Sequence, residues 1–226
     1  MTRREKISKR LFDILGAAAG LLFLSPVAVV LIIILKCTSP GPVFYRQSRV
    51  GRYGKLFQCV KFRTMRVGAE SSGTVTTAED ARITSVGRFL RRYKLDEFPQ
   101  LWNVLIGKMS FVGPRPDVAG YADMLAGDER SILELRPGIT GPATLFFRYE
   151  EKLLAMVENP QTYNDTVIWP IKVSFNMQYS ENWAFWKDIA FILVTLIPRM
   201  NLFFKVHPQS PSSPDQLEVY LATNLL

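Results

Sequence analysis

Ile14-Leu15-Gly16-Ala17-Ala18-Ala19-Gly20-Leu21-Leu22-Phe23-Leu24-Ser25-Pro26-Val27-Ala28-Val29-Val30-Leu31-Ile32-Ile33-Ile34-Leu35 is a run of 22 residues without a charge. As a continuous helix it would extend about 33 Å, long enough to cross a bilayer. Arg3, Arg4, Lys6, Lys9, Arg10 and Asp13 precede it. A secretory signal also begins basic and turns apolar, but this run is longer than such an apolar region. No small-residue cleavage site stands before the turn Thr38-Ser39-Pro40-Gly41-Pro42. Two features oppose a plain span. Pro26 cannot donate to the carbonyl of Leu22, so the helix is expected to bend there, with Ser25 available to the freed carbonyl. Basic residues also lie on both flanks, Lys36, Arg46, Arg49, Arg52 and Lys55 following the run, so charge gives no orientation. A single span and a helix that bends at Ser25-Pro26 and returns to the same face both remain open on these residues.

The rest of the composition bounds the class. The chain has 226 residues, 48% of them hydrophobic and 21% charged, which excludes disorder and allows one domain plus an anchor. A mean hydropathy of +0.08 is low for a polytopic transporter, so the apolar content is concentrated. Cys37 and Cys59 are too few for a disulfide framework or a structural zinc site, and His207 is the sole histidine. Chemistry should therefore rest on carboxylates, Arg and Lys. The net charge of +8 fits nucleic acid or an anionic membrane surface. The basic residues gather around the apolar run and near Asp96, which ranks membrane lipids above nucleic acid.

Three units are expected: a basic flank and membrane helix over 1–38, a catalytic domain over 39–205, and a C-terminal extension over 206–226. Val43 to Arg46 and Leu56 to Phe62 pattern as two strands of a hairpin. Residues 66–81 form a polar loop, and helices are expected at about 85–93 and 97–105, stopped by Gly107 and the proline-rich 113–116. Trp183 to Phe204 suits a helix in the membrane interface or an ordinary core helix, with only Ile189 to Ile197 uninterrupted. After Pro208 the chain reads as irregular.

Three segments carry chemistry. In Asp96-Glu97-Phe98-Pro99, Asp96 is a natural helix cap with Pro99 in the first turn. The same position would lower a carboxylate pKa, welcome phosphate and make Asp96 a nucleophile toward phosphorus, with Glu97 holding a divalent cation. In Ser110-Phe111-Val112-Gly113-Pro114-Arg115-Pro116-Asp117, an arginine fixed between two prolines suits a pair of phosphate oxygens; a solvated surface turn is the alternative. In Lys61-Phe62-Arg63-Thr64-Met65, strand alternation sets Lys61 and Arg63 on one face, fit for an anion or simply solvated. Gly51-Arg52-Tyr53-Gly54-Lys55 is too short for a phosphate loop.

Together with Lys9-Arg10-Leu11-Phe12-Asp13, Ser39-Pro40-Gly41-Pro42-Val43-Phe44, Leu95 to Asn103 and Arg136-Pro137-Gly138-Ile139-Thr140-Gly141, these segments resemble the bacterial sugar transferases, or monotopic phosphoglycosyl transferases, over roughly residues 7–200. The resemblance implies an α+β monotopic membrane protein on the cytoplasmic face of the bacterial inner membrane. Its N-terminal helix would be re-entrant and broken at Ser25-Pro26, with interfacial helices and a small mixed catalytic domain containing a β-hairpin. It implies transfer of a sugar-1-phosphate from a UDP-sugar to polyprenyl phosphate, with release of UMP, dependence on Mg²⁺ and a covalent intermediate. The nucleophile would fall on Asp96 and the metal on Glu97. Pro114, Arg115 and Pro116 would belong to the nucleotide-phosphate site, and Lys61, Arg63, Arg91 and Arg148 are further substrate-binding candidates. A homodimer is left open. One departure stands out: where the family often carries Trp-Ala-Gln-Val-Asn-Gly-Arg, this chain reads Pro142-Ala143-Thr144-Leu145-Phe146-Phe147-Arg148, so no sugar identity carries over.

Overall fold

The computed structural model describes residues 1–69, 80–205, 208 and 210–224. Most of the expected 66–81 loop, and His207, lie outside them.

The apolar run lies within one helix, α1, Arg3–Thr38, opened by a capping box in which Thr2 and Glu5 exchange hydrogen bonds. The expected break does not divide it. Helical structure continues through Pro26 because the Ser25 hydroxyl donates to the Leu22 carbonyl at 2.7 Å, replacing the missing N–H. Packing, however, changes there. Asp13, Ala17, Leu31 and Leu35 are buried, whereas every residue from Leu22 to Val27 is exposed. Both arms are tied to the same body. Arg10 donates to the carbonyls of Val104 and Leu105 at 2.7 and 2.8 Å, and Ser39, just past the helix, accepts from Arg63 at 2.8 and 3.1 Å.

The hairpin forms as the alternation predicts: β1, Phe44–Val50, pairs antiparallel with β2, Leu56–Phe62, in a register that sets Tyr45 opposite Lys61 and Arg49 opposite Phe57. After it come α2, Ser85–Arg92, and α3, Gln100–Leu105. Asn103 of α3 clamps β2 by donating to the Gln58 carbonyl at 2.8 Å and accepting from the Val60 N–H at 3.1 Å. Not expected from the pattern is the next pair, β3, Ser110–Val112, running parallel to β4, Gly138–Thr140. Its close approach needs glycine, since a Cβ on Gly113 would collide with the Arg136 carbonyl.

Helices complete the body: α4, Pro142–Phe146; α5, Glu150–Ala155; α6, Pro160–Tyr163; α7, Trp169–Glu181; α8, Phe185–Leu196; and α9, Asn201–Phe204. The Trp183–Phe204 stretch is part core helix and part exposed apolar surface. Phe191 and Val194 of α8 pack in a core with Val112, Leu145 and Tyr179, while Leu196, Ile197, Leu202 and Phe203 are bare. Asp188 of α8 accepts from Lys9, from Tyr179 at 2.8 Å and from Trp183 at 3.1 Å, which locks the base of α1 to the domain. The segment after Pro208 is not irregular as expected. It forms α10, Pro214–Asn224, because Leu217 buries fully against Phe146 and its neighbours and the Tyr220 ring packs 4.8 Å from that of Phe146.

Candidate active site

The turn Leu95–Glu97 lies between α2 and α3, entered through Lys94 in the left-handed conformation (φ 57°). Leu95 and Phe98 pack onto the cluster of Leu31, Leu35, Val43, Phe62 and Leu90, so the turn is seated against the second arm of α1. That anchoring turns the intervening Asp96 and Glu97 inward, and they are 7% and 8% exposed.

Asp96 does not cap α3. The capping position is Pro99, three residues further on, and no side chain caps that helix. Asp96 Oδ1 is instead buried and, among the described residues, has no hydrogen-bond partner. Its carboxyl is pushed up, not down, by burial first and then by the neighbouring Glu97 charge, against the pull of Lys61, Lys94 and Arg91. The expectation of a helix terminus lowering this group therefore fails: α3 begins too late to reach it.

Glu97 is the opposite case. Its Oε1 accepts from Lys61 Nζ at 3.0 Å and from Arg115 Nη2 at 2.6 Å, and Oε2 takes part in neither bond. Burial opposes its ionisation, yet Arg115 and then Lys61 outweigh that and hold it well below the usual carboxylate range. Arg115 in turn is raised, chiefly by the Glu97 charge. Arg115 is thus not the solvated tip of a surface turn. Carbonyls on both sides of it are tied down: Pro114 O accepts from Gly138 N at 2.7 Å and Asp117 O from Val50 N at 2.8 Å.

The structure therefore gathers Asp96, Glu97, Lys61 and Arg115, with Pro114 and Pro116 framing the last. Arg91 stands at the edge, paired with Glu151 at 3.3 Å and acting on Asp96 through its charge. Arg63 does not share the Lys61 face. It follows the end of β2 and turns to Ser39, buried as a latch on the exit from α1. Arg148 is half-buried, and among the described residues its guanidinium has no ion pair. Ser25 and Pro26 lie in the bare middle of α1. Sequence reading missed Arg49, whose Nη1 donates to Pro116 O at 3.1 Å, and the clamp made by Asn103. The one available signal was Asn103 itself, a polar residue in the otherwise apolar run Leu101 to Leu105.

Among the described residues no group of three or more His, Cys, Asp or Glu side chains converges. Asp96 Oδ1 and Glu97 Oε2 are hard oxygens on adjacent residues, and among the described residues the first lacks a hydrogen-bond partner. The Glu97 oxygen suits a divalent cation that completes its shell with water and phosphate oxygens. Lys61 and Arg115 keep further N–H donors beyond those given to Glu97, so the arrangement can meet an anionic phosphate while offering a buried carboxylate oxygen to phosphorus.

The family model described as bacterial sugar transferase matches residues 4–201. The chain is 38% identical over 202 residues to the UDP-glucose:undecaprenyl-phosphate glucose-1-phosphate transferase of Escherichia coli (strain K12), covering 85% of this chain and 40% of that protein. It is 37% identical over 210 residues to the undecaprenyl-phosphate galactose phosphotransferase of Salmonella typhimurium, covering 85% and 40%. With the exopolysaccharide production protein ExoY of Rhizobium meliloti it shares 33% identity over 206 residues, 84% of each chain. The chain thus spans about 40% of the length of several curated relatives and most of the length of another. On the match of the family model and of these relatives, the chain belongs to the bacterial sugar transferase family.

Proposed function

We propose that this chain transfers a sugar-1-phosphate from a UDP-sugar to polyprenyl phosphate, releasing UMP through a covalent phosphosugar on Asp96. The observation that carries the reading is the contrast within one turn: Glu97 is neutralised by two cations, while Asp96 is buried with an oxygen that no group among the described residues satisfies. An unpaired buried acceptor is costly, and a reacting phosphorus gives it a purpose. The relatives named for transfer to undecaprenyl phosphate support the substrate class.

In the first step a carboxylate oxygen of Asp96 bonds to the phosphorus next to the sugar. The bond from that phosphorus to the bridging oxygen breaks, and its electron pair leaves on UMP. In the second, an oxygen of polyprenyl phosphate bonds to the same phosphorus and the Asp96 carboxylate departs. No net proton moves. Lys61 and Arg115 hold the phosphates, and Glu97 holds those two cations in place. Glu97, through Oε2, would hold Mg²⁺, which when bound neutralises charge on the phosphate oxygens.

The acceptor keeps its head in water and its chain in lipid, so the site must stand at a membrane surface. Spanning a hydrocarbon core about 30 Å thick would separate residues 10 and 39 onto opposite faces. Arg10 and Ser39 are instead bonded to one domain, which supports the re-entrant reading of α1. The bare Leu22, Phe23 and Val27 would then enter one leaflet, with Trp102, Leu202 and Phe203 at its surface. The face would be the cytoplasmic one of the bacterial inner membrane.

The test is to incubate the purified full chain in lipid nanodiscs with Mg²⁺ and a panel of UDP-sugars, with and without polyprenyl phosphate, and to follow UMP. Acceptor-dependent turnover, lost in Asp96→Asn and on chelation by EDTA, is expected. Wild-type turnover in Asp96→Asn would overturn the reading.

A further inference from the structure

The family match ends at residue 201, and the chain beyond it packs on α4. Ser210 Oγ donates to the Leu145 carbonyl at 2.8 Å, near the C-terminal end of that helix, where carbonyls run short of intrahelical partners. The Arg148 N–H donates to the same carbonyl at 3.3 Å. One residue after Ser210, Pro211 is buried, and Leu217 of α10 is buried in the cluster that holds Phe146 and Phe147. Two adjacent aromatics closing a five-residue helix would form a bare apolar patch without such a cover. Residues 210–220 therefore hold the end of α4 in two ways, by a hydrogen bond and by packing.

What comes next in the chain makes that hold matter. Phe147-Arg148-Tyr149 joins α4 to α5, and the far side of this turn is tied to the active site. Glu151 of α5 pairs with Arg91 at 3.3 Å. The Arg91 carbonyl accepts from Lys94 N at 3.2 Å, and the Lys94 carbonyl from Glu97 N at 3.4 Å. The turn is thus held from one side by residues 210–220 and from the other by the segment that carries Asp96 and Glu97. Arg148 lies between the two ties. It is half-buried, and among the described residues its guanidinium makes no ion pair and no hydrogen bond. Its five N–H donors are unspent, which suits acceptor oxygens from outside the chain. We propose that residues 210–220 form a strap that sets Arg148 at the rim of the active site. Arg148 donates to oxygens of the UDP-sugar, and Ser210 and Leu217 are positioning residues that act through it. The strap rests on the transfer reaction proposed above, but its hold on the turn can be read without turnover.

Full chains in nanodiscs carrying Ser210→Ala, Ser210→Thr, Leu217→Ala, Arg148→Gln or the Leu217→Ala/Arg148→Gln pair are compared with wild type, with melting curves as a check on folding. Arg148→Gln should raise KM for the UDP-sugar about tenfold, the worth of a charged hydrogen bond. Leu217→Ala should raise it about threefold to tenfold with kcat within about twofold of wild type, since a displaced turn loses binding. Adding Leu217→Ala to Arg148→Gln should then change KM by less than about twofold, because the strap acts through that guanidinium. Ser210→Ala, which removes one hydroxyl and serves where Leu217→Ala does not fold, should speed hydrogen exchange at the Arg148 amide about tenfold without any substrate. Ser210→Thr should restore both KM and exchange. A Leu217→Ala that melts earlier yet keeps the wild-type KM would overturn the strap, as would KM losses that multiply in the pair. If wild type releases no UMP from any donor, the transfer reaction falls, and exchange at Arg148 in Ser210→Ala decides the strap: faster supports it, unchanged overturns it.

Discussion

Arg115 Nη2 and Glu97 Oε1 meet at 2.6 Å, and Lys61 Nζ reaches that same oxygen at 3.0 Å. One carboxylate therefore joins the hairpin, the Leu95–Glu97 turn and the Pro114-Arg115-Pro116 segment. Glu97→Gln should cost about 2–4 kcal/mol, because it leaves two cations without their counter-charge. Since the Glu97 pKa is held well below its ordinary value, its stabilisation is complete above the unfolded value of about 4.3 and is lost as pH falls through the folded one. Urea unfolding from pH 7 down to pH 3 should show the gap between wild type and Glu97→Gln closing below about pH 4. A gap that does not change with pH would contradict the assignment.

Asp117 has the opposite sign. Burial first, then Glu150, pushes its pKa up to about 6 against Lys172, Arg49 and Arg115. Its contribution to stability is thus fully present below the unfolded value of about 3.9 and is lost as pH rises through about 6. Asp117→Asn should be more stable than wild type at pH 7.5, by the order of 2 kcal/mol, and the advantage should vanish near pH 4. Thermal melting at the two pH values checks this.

Asn103 replaces a backbone partner for β2. Asn103→Leu keeps the branched shape and heavy-atom count but strands the Val60 N–H and the Gln58 carbonyl, at about 1–3 kcal/mol each. The hairpin should loosen from α3, so hydrogen exchange at Val60 should rise and the Lys61–Glu97 pair should weaken. Unaltered exchange at Val60 would count against the clamp.

The path of α1 is open to a two-site labelling test. Cys37 is exposed and Cys59 buried, so Cys37 reports on the end of α1. In sealed inverted vesicles a membrane-impermeant thiol reagent should label both Cys37 and an introduced Arg4→Cys. A spanning α1 would leave the residue at position 4 inside the vesicle and unlabelled.

Much of this was legible one segment at a time. The hairpin followed from alternation, and α1 from its apolar run. Asp96-Glu97 and Pro114-Arg115-Pro116 were legible as reactive types. What joins them was not. Glu97 lies 36 residues from Lys61 and 18 from Arg115, and local pattern carries no information about which cation meets which carboxylate. The cap reading of Asp96 failed because helix α3 starts three residues later than the motif suggested. Arg63 followed Lys61 in strand period, but β2 had already ended. Arg49 and Asp188 stayed hidden because a lone charge in a strand or helix normally faces water, and only tertiary packing encloses these two.

The most direct measurement is the intact mass of the full chain after incubation with Mg²⁺ and a turned-over UDP-sugar, without acceptor. The account predicts an added mass of one sugar phosphate, located on Asp96 by fragmentation, discharged by polyprenyl phosphate and absent from Asp96→Asn. A chain that releases UMP only when acceptor is present, and never carries that mass, would contradict it.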